Sequence, residues 1–95
     1  MIDSNETRIT GKWVVVDGHL RSDENEKRIH ILVTTYLQEI AKDWSGWETL
    51  YRDPTDGRYW KRTFPQGDLQ AGGPPELRYI DKTEAIAKYS FDPVP

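Results

Sequence analysis

Cysteine and histidine, two residue types that often carry catalysis, are absent or scarce in this sequence. Cysteine is absent, and the two histidines, His19 and His30, are too few for a multi-histidine zinc site. Asp53 and Asp56 could form an acid–base pair, but both belong to a turn-like segment, where aspartate is favoured because its side chain hydrogen-bonds the backbone. The sequence motifs of calcium loops, phosphate-binding loops, serine hydrolases and zinc peptidases are also missing. We therefore expect no enzyme activity, no catalytic residue, no metal site and no cofactor.

The densest unusual pattern alternates aromatic and cationic residues along two segments. Tyr51 and Arg52 belong to the first segment, and residues 58–62 form the second. Tryptophan, tyrosine and arginine provide much of the binding energy of protein interfaces, so one interpretation is the centre of a protein-binding surface. The other interpretation is that Trp60 packs in the core and the cations form a solvated rim. The sequence leaves both open.

The same residues suggest a second class of partner, single-stranded nucleic acid. Bases would stack on Tyr59 or Trp60, and the phosphates would follow Arg58, Lys61 and Arg62. However, 13 basic and 16 acidic residues give a net charge of −3, whereas nucleic-acid binders normally carry a clear positive excess. The composition therefore disfavours nucleic acid and favours a protein partner.

The elements that position these residues should form a single domain, residues 1–95, with an ordered core at about 10–90 and flexible termini. Residues 12–16 are β-branched and aromatic, and Asp17-Gly18 follows, which predicts a strand and a tight reversal with 19–21 as a short return strand. Asp23 and Glu26 have capping-box spacing, which predicts a helix start. Apolar residues recur at three- and four-residue spacing from Ile29 to Ile40, so we expect one long helix.

The second half of the chain indicates more strands. Residues 47–52 and 58–64 flank Asp-Pro and Asp-Gly pairs and predict a β-hairpin. Residues 65–75 contain three glycines and predict an irregular loop, 76–80 alternate as a strand, and 83–89 predict a short helix. The expected fold is α+β, a small antiparallel sheet of four to five strands packed by one long helix, plus a short C-terminal helix.

Four segments of the chain form an ordered set: 13–18, 45–54, 56–60 and 72–77. Together they resemble the immunity protein 27 family of bacterial polymorphic toxin systems, over roughly residues 12–89. The resemblance implies an antidote that binds and neutralises a cognate toxin domain by non-catalytic occlusion. The implied location is the cytoplasm of the producing cell, which agrees with the polar amino terminus and with the lack of a stretch of roughly 20 apolar residues for a membrane span.

The resemblance carries no list of contact residues, and it specifies neither the toxin nor the oligomeric state. The predicted partner-binding set therefore rests on residue chemistry alone: large aromatic groups, arginines, and glycines that bring backbone to a surface. Its members are Trp47, Tyr51, Arg52, Asp53, Arg58, Tyr59, Trp60, Gly72 and Gly73.

Overall fold

The computed structural model describes residues 2–65 and 73–89. Within these ranges the elements, in chain order, are β1 (Arg8–Thr10), β2 (Trp13–Val16), β3 (His19–Ser22), α1 (Glu24–Ile31), β4 (Gln38–Lys42), β5 (Thr49–Arg52), β6 (Tyr59–Thr63), β7 (Glu76–Ile80) and α2 (Lys82–Tyr89). Five strands form an antiparallel sheet with the order β1-β7-β6-β5-β4, while β2 and β3 form a separate two-stranded sheet. The α+β class is confirmed.

The first helix is shorter than expected. It begins as predicted, because the Asp23 carboxylate caps it by accepting a hydrogen bond from the Glu26 N–H (2.8 Å). After α1 the chain makes a π-helical turn at Leu32–Tyr36 and becomes extended at Leu37. The hydroxyls of Thr34 and Thr35 donate to carbonyls one turn earlier (2.7 and 2.6 Å), a type of bond that disturbs regular helices. The prediction of one long helix to Ile40 is therefore wrong, and β4 occupies that segment.

The main sheet has the expected number of strands but a different membership. The predicted hairpins are present as β2–β3 and β5–β6, and β7 and α2 also lie where we expected them. However, β2 and β3 pair only with each other. The edges of the main sheet are formed instead by β1, which pairs with β7, and by β4, which pairs with β5. Between β1 and β2, the Gly11 N–H donates to the Pro75 carbonyl (2.9 Å). This close crossing holds the chain between the sheet and the separate hairpin.

Both faces of the sheet carry a cluster of buried side chains. Tyr51 lies opposite Trp60 in the register of β5 and β6, so these two rings share a face, and Tyr59 and Leu50 point to the other face. The first cluster packs under the helical segment, and its members are Ile9, Ile29, Leu32, Leu37, Tyr51, Trp60 and Leu77. The second cluster packs under α2, and its members are Leu50, Tyr59, Ile80, Ala85 and Tyr89. The second helix thus covers one end of the face opposite the first cluster.

Candidate functional site

Most members of the predicted contact set lie inside the fold. Trp60 has 0% and Asp53 has 1% of its surface exposed, and Tyr51 and Tyr59 are also buried in the two clusters. Gly73 is buried as well, whereas Gly72 lies outside the described residues. The interpretation of Trp60 as a core residue is therefore correct. The single-stranded nucleic-acid interpretation loses its stacking platform, because neither ring on β6 is available to a base.

Asp53 organises the turn between β5 and β6 from within. One carboxylate oxygen accepts hydrogen bonds from the Thr55 N–H (2.8 Å) and from the Tyr36 hydroxyl (2.5 Å). The Asp53 backbone also donates to the Arg58 carbonyl (2.9 Å) and accepts from the Gly57 N–H (2.8 Å). Donation to this carboxylate raises the pKa of the Tyr36 phenol above its usual range. Asp53 thus fixes the turn geometry and presents no carboxylate to solvent.

The cationic residues at this turn are only partly exposed. Arg58 donates to the Asp56 carboxylate (2.7 Å) and to the backbone carbonyl of Glu6 (2.8 Å), and its guanidinium lies 4.9 Å from the Trp60 ring centroid. Burial raises the pKa of Asp56, but hydrogen bonds from the backbone and side chain of Arg58 outweigh it and leave that pKa below its usual range. Arg52 is half-buried. The main task of Arg58 in the fold is to join the amino-terminal segment to the sheet.

The turn between β4 and β5 presents two tryptophans to solvent. Trp44 is 98% exposed and Trp47 is 57% exposed. The Asp43 carboxylate fixes the turn, because it accepts one hydroxyl and two backbone N–H groups at 2.7 to 3.3 Å. Burial raises the pKa of Asp43, but these hydrogen bonds leave it below its usual range. We call residues 43–48 the tryptophan turn. The sequence analysis included Trp47 and missed Trp44, although the pair of tryptophans around Ser-Gly was the available signal.

An open groove of about 540 Å³ lies beside the tryptophan turn, on the same sheet face as α2 but beyond the end that α2 covers. Trp47 and Phe64 form an edge-to-face pair at its side, with ring centroids 5.8 Å apart. The principal lining residues are Trp47, Glu48, Lys61, Phe64, Glu76 and Arg78. The groove therefore combines aromatic side chains with charged ones.

The two groove carboxylates already have partners in the fold. Glu48 accepts from the Lys88 ammonium (2.5 Å) and from the Tyr89 hydroxyl (3.2 Å). Burial and this negative charge together raise the pKa of the Tyr89 phenol. Glu76 accepts from the Thr10 hydroxyl (3.1 Å) and lies 3.9 Å from the Arg8 guanidinium. The negative charge of the groove is thus largely neutralised by neighbouring elements.

A second exposed apolar surface lies on the β2–β3 hairpin. Val15 and Leu20 lie opposite each other in its register, so they share a face, and both are well exposed. Exposed apolar clusters of this kind often mark contact sites. We call Val15 and Leu20 the hairpin surface. The sequence analysis predicted these strands but placed them in the main sheet, where one face would be buried.

In residues 2–65 and 73–89, no group of three or more histidine, aspartate or glutamate side chains converges on a point that could hold an ion. Neither helix in those ranges has the length and apolar character needed to cross a bilayer.

Comparison with known proteins connects this geometry to one family. A family model described as immunity protein 27 matches residues 15–81, which is more than two thirds of the chain. The matched region contains the tryptophan turn and the two groove strands β6 and β7. No curated protein and no solved structure matches the chain.

Proposed function

Because the chain belongs to the immunity protein 27 family, we propose that it is an antidote that binds a cognate bacterial toxin domain and blocks it by occlusion. In this proposal the toxin is encoded beside the antidote, both are made in the cytoplasm of the producing bacterium, and the antidote transforms no substrate. The observation that carries the proposal is the tryptophan turn, where Trp44 is 98% exposed. An indole in that position adds almost nothing to the core, so its apolar area is available to a partner.

The tryptophan turn and the adjacent groove form the proposed contact surface. Burial of a tryptophan side chain removes about 150–250 Å² from water, which at about 25 cal/mol per Å² corresponds to a gross gain of roughly 4–6 kcal/mol. Trp44 and Trp47 together could therefore dominate an interface. The hydrogen bonds of Asp43 hold the turn in one shape before binding, so less conformational freedom is lost when the partner arrives.

The remaining members of the predicted contact set have other places in this proposal. Arg52 and Arg58 lie at the opposite end of the β5–β6 hairpin from Trp47, so this proposal places them outside the contact surface. The buried members belong to the interior of the fold: Tyr51, Asp53, Tyr59, Trp60 and Gly73.

The test is co-expression of the chain with the toxin encoded by the adjacent open reading frame, followed by calorimetry on the purified pair. The wild-type chain should protect cells and form a stable complex. The Trp44→Ser/Trp47→Ser variant should remain folded, because both side chains are exposed, and should bind at least about 100-fold more weakly, which is a loss typical of hot-spot tryptophans.

The matched control is Val15→Ser/Leu20→Ser, which removes two exposed apolar side chains from the hairpin surface. This variant should protect cells and bind the toxin as the wild-type chain does. A wild-type chain that neither binds nor protects would refute the antidote function. A loss of binding in the control variant alone would move the contact surface to the hairpin.

A further inference from the structure

Three cations lie in a row across the part of the sheet that α2 leaves uncovered. In the antiparallel register Lys61 on β6 is directly opposite Arg78 on β7, and Arg78 is directly opposite Arg8 on β1. Residues that are directly opposite point to the same face, with Cβ atoms about 4.5–5.5 Å apart. With neighbouring strands about 4.8 Å apart, the row is roughly 10 Å long. We call Arg8, Lys61 and Arg78 the cationic row.

The fold balances the charge of this row only in part. Like charges directly opposite each other on a sheet are destabilising. Glu76 lies near Arg8 at 3.9 Å, but Lys61 and Arg78 have no hydrogen bond or ion pair with the described residues. Burial, and after it the nearby Lys88 charge, lowers the pKa of Lys61, which means that the ammonium is held where its charge is unfavourable.

The groove supplies the other half of a binding site. Lys61 and Arg78 belong to the lining of the groove, together with the Trp47 and Phe64 rings. A partner group that enters between these rings would lose water, and an anion there would interact more strongly with the cations than it would in bulk solvent. Arginine can hold a carboxylate through two parallel hydrogen bonds, and lysine adds a point charge beside it.

We propose that the cationic row receives carboxylate side chains from an acidic segment of the toxin, which lies in the groove beside the tryptophan turn. The proposal rests on the antidote function and specifies the chemistry of its partner. A few carboxylates fit the row better than a continuous phosphate chain, because the row holds only three cations and is roughly 10 Å long. The net charge of −3 for the whole chain acts in the same direction.

The test compares two double variants that remove the same amount of charge. Lys61→Gln/Arg78→Gln neutralises the row, and Lys12→Gln/Arg21→Gln neutralises two exposed cations beside and within the β2–β3 hairpin. Affinity for the toxin of the adjacent open reading frame is measured by calorimetry between 50 mM and 500 mM NaCl. The row variant should bind at least about tenfold more weakly, with a flatter salt dependence, and the control should stay within about twofold of wild type.

Thermal unfolding of the unbound proteins separates a binding role from a structural one. If the row exists for a partner, its removal relieves repulsion, and the melting temperature should stay the same or rise by about 1–4 °C while binding weakens. The variant Lys61→Arg/Arg78→Lys keeps both charges and should bind close to wild type. A row variant that melts lower, combined with equally weak binding by the charge-preserving variant, would overturn the proposal.

Two further outcomes separate this inference from the antidote function. If the wild-type chain binds the toxin and the row variant binds equally well, the cationic row is not part of the interface, whereas the antidote function stands. If the wild-type chain does not bind, the antidote function fails first. A fluorescein-labelled single-stranded DNA oligonucleotide is the second probe. Binding of that oligonucleotide by wild type at 50 mM NaCl, lost in the row variant, would overturn the assignment in favour of phosphates.

Discussion

The Asp53→Ala substitution tests whether the role of Asp53 is to hold the turn between β5 and β6 or to contact a partner. Asp53 is 1% exposed, and its side chain accepts from the Thr55 N–H and the Tyr36 hydroxyl. Alanine leaves the Thr55 N–H without its partner, at about 1–3 kcal/mol, and removes a charge-assisted bond to Tyr36. Removal of a buried charge offsets part of this loss. We expect a net destabilisation of about 2–4 kcal/mol, or a fall in melting temperature of roughly 10–25 °C.

The assay is urea unfolding followed by tryptophan fluorescence and circular dichroism, with Asp53→Asn as the matched control. Asparagine keeps a side-chain oxygen that can accept both hydrogen bonds, so its loss should be about 1 kcal/mol. Because the side chain is buried, Asp53→Asn should also bind the toxin within about twofold of wild type. The reasoning is refuted if alanine and asparagine destabilise the chain equally. Impaired binding by Asp53→Asn at unchanged stability would return this residue to the contact surface.

The remaining predictions concern stability. The hydrogen bond from Arg28 lowers the pKa of Glu6 from about 4.5 to about 2, so the pair stabilises the fold above pH 4.5 and this contribution is lost as the pH falls toward 2. Glu6→Gln should abolish that pH dependence in urea titrations and lower stability at pH 7 by about 1 kcal/mol, because both side chains are partly exposed and screened. Gly11→Ala should lower the calorimetric melting temperature, since a Cβ there would lie 2.8 Å from the Pro75 carbonyl, at about 1–3 kcal/mol. Asp23→Ala should remove the cap of α1 at a loss of about 1 kcal/mol, measured by urea unfolding.

Local chemistry made much of the fold predictable. The Asp23 cap and the two tight hairpins depend on residues within a few positions of each other, and all are present. The prediction for the segment after α1 was wrong because Tyr36, Leu37 and Ile40 fit a helical period, whereas in the structure Leu37 packs in the first cluster and Ile40 packs against the second. Thr34 and Thr35 were the missed signal, because β-branched residues with hydroxyls favour a helix end at that point. A strand as short as β1 gives no periodicity at all, and only its pairing with β7 defines it.

The candidate site was harder to predict from the sequence than the fold was. It depends on which face of the sheet each side chain occupies and on the register between strands. An aromatic residue in an alternating strand belongs to the core or to the surface according to which side the helices cover. Here α1 and α2 cover opposite sides, so both Tyr59 and Trp60 are buried. The cationic row joins three strands that are far apart in the chain, and a register shift of one residue would place its members on different faces.

The two turns that flank β5 are both held by an aspartate carboxylate, but they place their large side chains differently. At one end, the Asp53 carboxylate holds a turn at which Arg58 packs inward, with its guanidinium over the Trp60 ring. At the other end, the Asp43 carboxylate holds a turn that projects Trp44 into solvent. In each turn, hydrogen bonds to a single aspartate carboxylate hold the backbone. A turn held in one shape loses less entropy when a partner binds. The exposed ring leaves apolar area for that partner to bury. Both features favour the proposed antidote function.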